Sequence, residues 1–229
     1  KDATSLEILK AQLKKLANVY SKLLGRVQSG PVIVNAYVSQ KKVIKLHFWI
    51  KKLPYFFNLN VVFPHIKKDH SLREKLTNVT LSSEQFECLL ARLIPSFIPK
   101  SYVEDFPKLR ENALNTLPKT PTSIFTANAY QADEMFKVWA AEKASAGVPL
   151  IIGQHGGTFG MASVNQSEEH QLKIADKWLS WGWDHKVKDN IVKFPSFQLS
   201  GLDCIKPSKN GGILHVLSSM PRYFYQHFS

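Results

Sequence analysis

Residues 148–157 have the sequence VPLIIGQHGG, in which a short apolar run leads directly into a glycine-rich turn that carries a histidine. An uninterrupted apolar run of this length is typical of a strand that is buried on both faces, as in a parallel sheet. Parallel strands need a crossover connection, which is usually a helix. The stretch therefore predicts an α/β fold, with a ligand site just beyond the end of this strand.

The downstream and upstream sequence continues the alternation of strands and helices. We expect further strands at residues 122–127, 177–181, 197–200 and 212–218, and helices at residues 133–146 and 168–176. Strands that are separated by helices indicate a Rossmann-like parallel sheet with flanking helices, built from right-handed crossover units.

The first third of the chain has a different pattern. Residues 4–24 predict an amphipathic helix, because Thr4 and Glu7 have capping-box spacing and leucines recur at steps of three and four. We expect its apolar stripe to pack on a core, with a coiled coil as the alternative, and Gly25 to end it. Further elements are expected as strands at residues 31–34 and 42–50 and helices at residues 84–93 and 108–117. Pro95, Pro99 and Pro107 are expected to prevent a long helix between them.

Composition and length place the chain among globular proteins. Of its 229 residues, 44% are hydrophobic and 21% charged, and no apolar run is long enough to span a bilayer. We expect a basic helical and β-containing part at residues 1–120, a Rossmann-like part at residues 121–210, and the start of a truncated second domain at residues 211–229. The chain begins at a lysine and stops within an aromatic stretch, so we expect it to be a fragment.

The positive charge is concentrated near the start of the chain. Residues 1–75 contain 15 Lys and Arg residues but only 4 Asp and Glu residues, within a total net charge of +12. Such a region can bind an anionic membrane surface, an anionic substrate or nucleic acid, or it can be a solvated lysine-rich face. No nucleic-acid motif accompanies it, so nucleic acid is not the expected partner.

The turn after the apolar run is the first candidate site. A histidine there can donate to a phosphate or act as an acid or base near neutral pH, and glycines let a ligand approach the backbone. We select His155 as catalytic and Gln154, Gly156 and Gly157 as substrate-binding. The spacing matches neither a phosphate-binding P-loop nor a dinucleotide-binding motif. A tight turn with a structural histidine is the alternative.

A second cluster lies about a dozen residues later. Glu168, Glu169 and His170 place two carboxylates beside an imidazole, which can provide a general base and a partner that orients it. Adjacent helical residues point in different directions, so only one carboxylate is expected to face the turn. The alternative is an acidic first helical turn that the helix dipole favours. No metal-ligand spacing is present, and no metal or cofactor is expected.

Two further segments follow the later strands. Trp181 and Trp183 can form the wall of a pocket for a sugar or a base, although tryptophans are more often core residues. Ser218 and Arg222 lie where a strand meets a helix start, and can bind an anionic group. The alternative for this last pair is an ordinary capped helix with a surface arginine.

Several of these motifs together resemble a bacterial transferase family associated with O-antigen and surface-carbohydrate gene clusters. The motifs that carry the resemblance are IPSFIPKSY at residues 94–102, SIFTANAY at 123–130, FKVWAA at 136–141, IGQHGG at 152–157, EH at 169–170 and ADKWLSWGW at 175–183. The family is similar to two-domain glycosyltransferases of the GT-B type. It is distantly similar to enzymes that transfer Kdo or polyol phosphates from cytidine nucleotides.

The resemblance implies a function in surface-polysaccharide synthesis. We expect transfer of a sugar from a nucleotide-sugar donor to a glycan or lipid-linked acceptor, without a metal, at the cytoplasmic face of the membrane. In that comparison His155 matches the family's loop histidine. We expect Glu169, with Glu168 as the alternative, to be the base or to support it, and we expect His155 with the Gly156 and Gly157 amides to line the reacting centre. The chain departs from the family pattern at Gln171, where a glutamate is usual, and in lacking most of the second domain. A noncatalytic binding subunit or degenerate half-enzyme is the alternative.

Overall fold

The computed structural model describes residues 5–57, 67–76, 85–185, 189–202 and 211–212. Its strands are β1 (Gly30–Val34), β2 (Pro121–Thr126), β3 (Leu150–Gly153), β4 (Lys177–Trp181) and β5 (Ile191–Phe194). Its helices are α1 (Ser5–Val27), α2 (Gln40–Trp49), α3 (His70–Lys75), α4 (Gln85–Phe97), α5 (Phe106–Thr116), α6 (Ala129–Ala132), α7 (Glu134–Ser145) and α8 (Gln166–Ile174). A short 3₁₀ turn at Lys100–Tyr102 precedes α5.

The five strands form one parallel sheet in the order β1-β2-β3-β4-β5. In the register, Val34 pairs with Thr126, Thr126 pairs with Ile152 and Gly153 pairs with Leu179. The carboxyl ends of all five strands therefore meet at one edge of the sheet. The expected α/β fold with a Rossmann-like parallel sheet and flanking helices is confirmed. Strand β1, from the part predicted at residues 1–120, belongs to the same sheet. The domain boundary at residue 120 stays a prediction.

The core lies between the sheet and the helix pair α5 and α7. Ile124 and Ile152 on the central strands and Phe136 and Trp139 on α7 are fully buried. The buried indole of Trp139 donates from Nε1 to the carbonyl of Pro118 at 2.9 Å, so its polar atom has a partner. Burial of each large side chain of this kind stabilises the fold by about 1.5–3 kcal/mol. This core fixes the strands that carry the candidate site.

Helix α1 packs on the protein through Ser21, Leu24 and Gly25, and Leu24 is part of the buried core. Ser21 is buried, and its hydroxyl accepts a hydrogen bond from the Phe56 amide at 2.6 Å. A side chain at Gly25 would meet the Cα of Pro118 at 3.2 Å, so glycine permits the close approach. The helix continues through Gly25 to Val27, and the expectation that Gly25 ends it is wrong.

The leucine stripe of α1 faces outward. Its described members are at least 38% exposed, and they are Leu9, Leu13, Leu16, Tyr20, Leu23 and Val27. The expectation that this stripe packs on a core is therefore wrong. Ser21, Leu24 and Gly25 face the rest of the protein, and the stripe is left on another face of the helix.

Residues 42–50 form most of helix α2, so the strand expected there is wrong. The partial alternation of apolar residues also fits a helix that buries one narrow face. His47 is fully buried on that face, with its Nδ1 2.8 Å from the carbonyl of Val43 one turn earlier. Phe48 and Trp49 remain exposed. A short apolar run does not distinguish the two periods.

The fourth strand along the predicted Rossmann-like part lies at Ile191–Phe194, and residues 197–200 form a turn instead of the expected strand. Lys42 holds this turn, because its ammonium donates to the carbonyls of Phe197, Gln198 and Ser200 at 3.2, 3.1 and 2.6 Å. A turn whose carbonyls bind a side chain cannot pair as a strand. The strand expected at residues 212–218 lies outside the described residues.

Helix α4 contains Pro95 and continues to Phe97, so its expected end at residue 93 is wrong. It ends before Pro99, and α5 begins separately at Phe106, so no long helix crosses the three prolines. The guanidinium of Arg73 donates to the carbonyls of Pro95 and Ile98 at 2.6 and 3.1 Å, and so satisfies the end of the helix. The same guanidinium forms a double contact with Glu104, at 2.6 and 2.8 Å. This buried pair joins α3, α4 and the turn before α5.

Among the described residues, none of the helices combines the length and apolar character that are needed to cross a bilayer.

Candidate active site

His155 lies at the carboxyl edge of the sheet, two residues after β3. Its half-buried ring is surrounded by three aromatic rings, with centroid distances of 5.8 Å to Tyr37, 6.5 Å to Tyr130 and 5.3 Å to Phe159. These rings come from the segments after β1, β2 and β3. The parallel topology therefore assembles an aromatic enclosure around one imidazole, at the edge where open α/β sheets bind ligands.

The two ring nitrogens of His155 have different surroundings. Nε2 lies 3.3 Å from the side-chain nitrogen of Gln131, which is exposed, whereas Nδ1 is buried and has no hydrogen-bond partner among the described residues. Burial lowers the pKa of His155, and the nearby Ala127 backbone opposes that shift. A neutral imidazole that accepts at Nε2 from the Gln131 amide carries its proton on Nδ1. In that tautomer Nε2 is available as a base.

The tyrosines beside His155 belong to a tripeptide that occurs twice. Asn-Ala-Tyr stands at residues 35–37, directly after β1, and at residues 128–130, shortly after β2. In both copies the tyrosine contacts the His155 ring. Sequence reasoning missed these residues and Gln131. The signal was the repeated tripeptide at the ends of two strands that were themselves expected.

Burial raises the pKa of Tyr130 to about 12, so its hydroxyl stays protonated at neutral pH. Tyr37 and Asn35 adopt positive φ angles of 56° and 48°, in the left-handed region that non-glycine residues rarely occupy. Strain of this kind is concentrated at functional sites. The first Asn-Ala-Tyr turn is therefore held in a costly conformation that places Tyr37 against His155.

The buried side chain of Gln154 stabilises the loop through hydrogen bonds. Its Oε1 accepts from the Trp181 amide at 2.8 Å and from the Trp183 indole at 3.0 Å, and its Nε2 donates to the carbonyl of Gly156 at 2.6 Å. All of these groups belong to the protein, and Gln154 is buried. Its amide joins the carboxyl ends of β3 and β4, which fixes the direction of the turn that carries His155.

Gly156 and Gly157 do not need left-handed backbone angles, contrary to one reason for selecting them. The positive φ of this loop occurs at Gly160, at 77°. A side chain at Gly160 would also meet the Trp183 ring at 2.8 Å, whereas one at Gly157 would meet no atom within 4 Å. Gly157 thus borders open space, which suits the approach of a ligand to its backbone.

The three residues of the predicted acid–base cluster lie on α8. Glu168 accepts from the backbone amide of Gly160 at 2.7 Å, so this carboxylate faces the loop and holds it. Glu169 and His170 are exposed. The ring of His170 lies 6.2 Å from that of Tyr130, so the two histidines His155 and His170 contact the same tyrosine from different elements.

The two tryptophans after β4 differ in their surroundings. Trp183 packs against the buried Trp178 with a centroid distance of 5.1 Å and is tied to Gln154, so it supports the loop. Trp181 is half-buried and lines a small recess at the sheet edge together with Tyr37 and Phe197. Ser218 and Arg222 lie outside the described residues.

Within the described ranges, no group of three or more His, Cys, Asp or Glu residues comes together as a possible metal site. The chemistry that this edge offers is proton transfer and hydrogen bonding in an aromatic enclosure.

Comparison with known protein families adds one finding. The model of the LIC12162 family of transferases matches residues 2–229. The chain belongs to the LIC12162 transferase family. No curated protein and no solved structure matches it significantly. A LIC12162 transferase moves a chemical group between two substrates. An imidazole such as that of His155, in its neutral form, can take a proton from the acceptor of such a transfer.

Proposed function

We propose that this LIC12162 transferase is a glycosyltransferase of bacterial surface-polysaccharide synthesis that uses His155 as its general base. The donor is a nucleotide-linked sugar, and the acceptor is a glycan or lipid-linked saccharide. Nε2 of His155 takes the proton from an acceptor hydroxyl while that oxygen forms a bond to the anomeric carbon. The bond from that carbon to the donor phosphate breaks, and the nucleotide leaves with the bonding electrons.

The observation that carries this proposal is the aromatic enclosure of His155 at the carboxyl edge of the sheet. Its ring lies among Tyr37, Tyr130 and Phe159, and burial lowers its pKa. Its Nε2 lies 3.3 Å from the side-chain nitrogen of Gln131, which is exposed. An unprotonated imidazole at a strand end can accept a proton from a substrate hydroxyl, provided that the substrate displaces Gln131. General-base catalysis of this kind contributes roughly 10²–10⁴-fold to a rate.

The other candidate residues have supporting roles in this proposal. Glu168 positions the loop through Gly160, and Glu169, an exposed carboxylate on α8, stays a proposed site residue. The backbone amides at Gly156 and Gly157 can donate to the departing phosphate, since Gly157 borders open space. Ser218 and Arg222 stay proposed anion-binding residues.

We also propose that α1 rests on the cytoplasmic face of an anionic membrane. The outward leucine stripe supports this, because Leu13 and Leu16 are 56% and 67% exposed and Lys15 and Lys22 lie off the stripe on the same helix. An exposed apolar face beside lysines is typical of helices that bind in the membrane interface. Each lysine near an anionic surface adds about 1 kcal/mol of attraction.

The base role of His155 is tested by nucleotide release. The full-length protein is incubated with CMP-, CDP-, UDP- and GDP-linked sugars and a lipid extract of its source organism. We expect His155→Ala to lower the rate by roughly 10²–10⁴-fold with an unchanged thermal midpoint. The control is His70→Ala on α3, which should keep the rate. An unchanged rate in His155→Ala overturns the proposal. No release from any donor by the wild-type protein favours the noncatalytic alternative instead.

Membrane contact is tested by sedimentation with vesicles. Vesicles of phosphatidylcholine alone are compared with equal mixtures of phosphatidylcholine and phosphatidylglycerol. The wild-type protein should bind only the anionic vesicles, and the double variant Leu13→Gln and Leu16→Gln should lose that binding. Leu199→Gln, which changes a leucine that is 64% exposed elsewhere, is the matched control. Equal binding of the double variant and the wild type excludes the proposed role of α1.

A further inference from the structure

A second cavity opens at the same edge of the sheet, beside the ends of β1 and β2. Its volume is about 670 Å³, within the range of roughly 300–1,000 Å³ that small-molecule sites occupy. Helices α1 and α2 and the segment after α2 form its other walls. None of the residues selected from the sequence lines it.

The lining combines amides with an aromatic platform. The asparagines of both Asn-Ala-Tyr tripeptides, Asn35 and Asn128, line it together with Gln40. On another wall the rings of Tyr55 and Phe57 are stacked, with a centroid distance of 5.0 Å and an interplanar angle of 16°. Tyr55 is buried, so the half-buried Phe57 is the ring of this pair that can offer a face to a ligand. Amides offer both donors and acceptors, as sugar hydroxyls do, and an aromatic face suits the apolar face of a pyranose ring.

The charge of the lining indicates which of the two substrates, the sugar acceptor or the nucleotide-sugar donor, the cavity would bind. The described lining contains a single cation, Lys14, and no carboxylate. A nucleotide diphosphate is usually bound by several cationic or backbone donors, whereas one lysine is sufficient for a single phosphate. Lys14 also belongs to α1, the helix whose outward stripe is proposed to rest on the membrane.

The cavity adjoins the proposed base. Tyr37 lines it and also contacts the His155 ring at a centroid distance of 5.8 Å. Each Asn-Ala-Tyr tripeptide thus supplies an asparagine to the cavity and a tyrosine to the histidine. The left-handed backbone at Asn35 and Tyr37 produces this division in the first copy, because it turns the chain sharply at the strand end.

We propose that this cavity binds the saccharide of a lipid-phosphate-linked acceptor, with the phosphate at Lys14. The inference rests on the proposed function, and assigns one of its two substrates to a place in the fold. The sugar stacks on Phe57, which is itself stacked on Tyr55, and the amides bind its hydroxyls. The hydroxyl that reacts points past Tyr37 toward His155.

The test is binding of p-nitrophenyl hexopyranosides, detected by saturation-transfer NMR. Asn128→Leu should weaken glycoside binding by about tenfold, since it removes a hydrogen-bonding amide. The Asn128 side chain makes no cap hydrogen bond, so the fold should be retained. The matched control is Asn115→Leu on α5, which should bind as the wild type does. UDP and CDP binding should be the same in all three proteins.

The phosphate assignment is tested with glucose 1-phosphate. Lys14→Gln should weaken its binding while leaving the neutral glycosides unaffected, and an unchanged affinity removes the phosphate from the proposal. Absence of glycoside binding by the wild type, equal binding by Asn128→Leu, or loss of nucleotide binding in Asn128→Leu overturns the acceptor assignment. His155→Ala separates the two proposals, because it should lose transfer but keep glycoside binding. Full transfer by His155→Ala overturns the base role alone.

Discussion

The ring of Tyr37 meets the ring of His155 edge-on, with centroids 5.8 Å apart and an interplanar angle of 73°. The two residues are separated by more than a hundred positions in the chain, and they meet because β1 and β3 end at the same edge of the sheet. The contact excludes water from one side of the imidazole. It therefore helps to set how readily His155 takes up a proton.

The first prediction concerns the pH profile of transfer. Burial lowers the pKa of His155 from its usual value of 6.5, so the base form persists below that pH and is lost only as pH falls further. We expect the acidic limb of kcat/KM to lie below pH 6.5. Tyr37→Ala should move this limb upward by admitting water, and Tyr37→Phe should not. An NMR titration of the His155 ring compares its pKa in the two variants directly. Identical pH profiles of Tyr37→Ala and Tyr37→Phe would contradict the prediction.

The second prediction concerns the hydrogen bonds of the Gln154 side chain. Gln154→Leu leaves the Trp181 amide, the Trp183 indole and the Gly156 carbonyl without their partner. Each unsatisfied buried group costs about 1–3 kcal/mol, so we expect a loss of at least about 2 kcal/mol in the free energy of unfolding. Urea denaturation measures this loss. Gln131→Leu, at an exposed position, should change stability little, and equal stability of the two variants would contradict this role of the Gln154 hydrogen bonds.

The sequence was sufficient to predict an element where its hydrophobic pattern is typical of a single kind of secondary structure. The strands at Leu150–Gly153 and Lys177–Trp181 are confirmed. The first is almost entirely buried and has a continuous apolar signal, whereas in the second the more buried residues alternate with the less buried ones. Residues 42–50 were misassigned because a partly buried helix and a half-buried strand share that short pattern. Lys42, which holds the turn at residues 197–200, has no local signal at all.

The sequence predicted where His155 lies in the candidate site but not which residues surround it. His155 stands directly after a strand, so its place at the sheet edge followed from the parallel topology. Its neighbours Tyr37, Tyr130 and Gln131 come from other strand ends, and their distances to it depend on register and turn conformation. The left-handed angle at Tyr37 has no sequence signal, since glycine is the usual residue there. Only the repeated Asn-Ala-Tyr tripeptide pointed to a shared location.

The third prediction separates the glycines of the loop. Gly160→Ala places a Cβ at a φ of 77° and 2.8 Å from the Trp183 ring, so we expect a loss of about 1–3 kcal/mol of stability. Gly157→Ala meets no atom within 4 Å and should fold normally while slowing transfer, because its methyl group enters the space proposed for the donor phosphate. Thermal unfolding and the nucleotide-release assay measure the two effects. Full activity in a folded Gly157→Ala protein would remove that backbone from the proposed site.

The fourth prediction is a loss of stability in acid that depends on Glu104. The hydrogen-bonded Arg73 guanidinium lowers the pKa of Glu104 to about 2, from an ordinary value of 4.5. Because the folded-state pKa is the lower one, the stabilisation from this carboxylate is complete above about pH 4.5 and is lost as pH falls toward 2. Glu104→Gln should therefore be less stable than the wild type at neutral pH, and the difference should shrink between pH 4.5 and 2.

Glu142→Gln, which breaks the exposed pair with Arg110, is the control and should change stability little at any pH. Urea denaturation at a series of pH values gives both comparisons. A difference for Glu104→Gln that stays constant across the acid range would show that Arg73 holds the α3–α4 junction through Pro95 and Ile98 without help from the Glu104 charge.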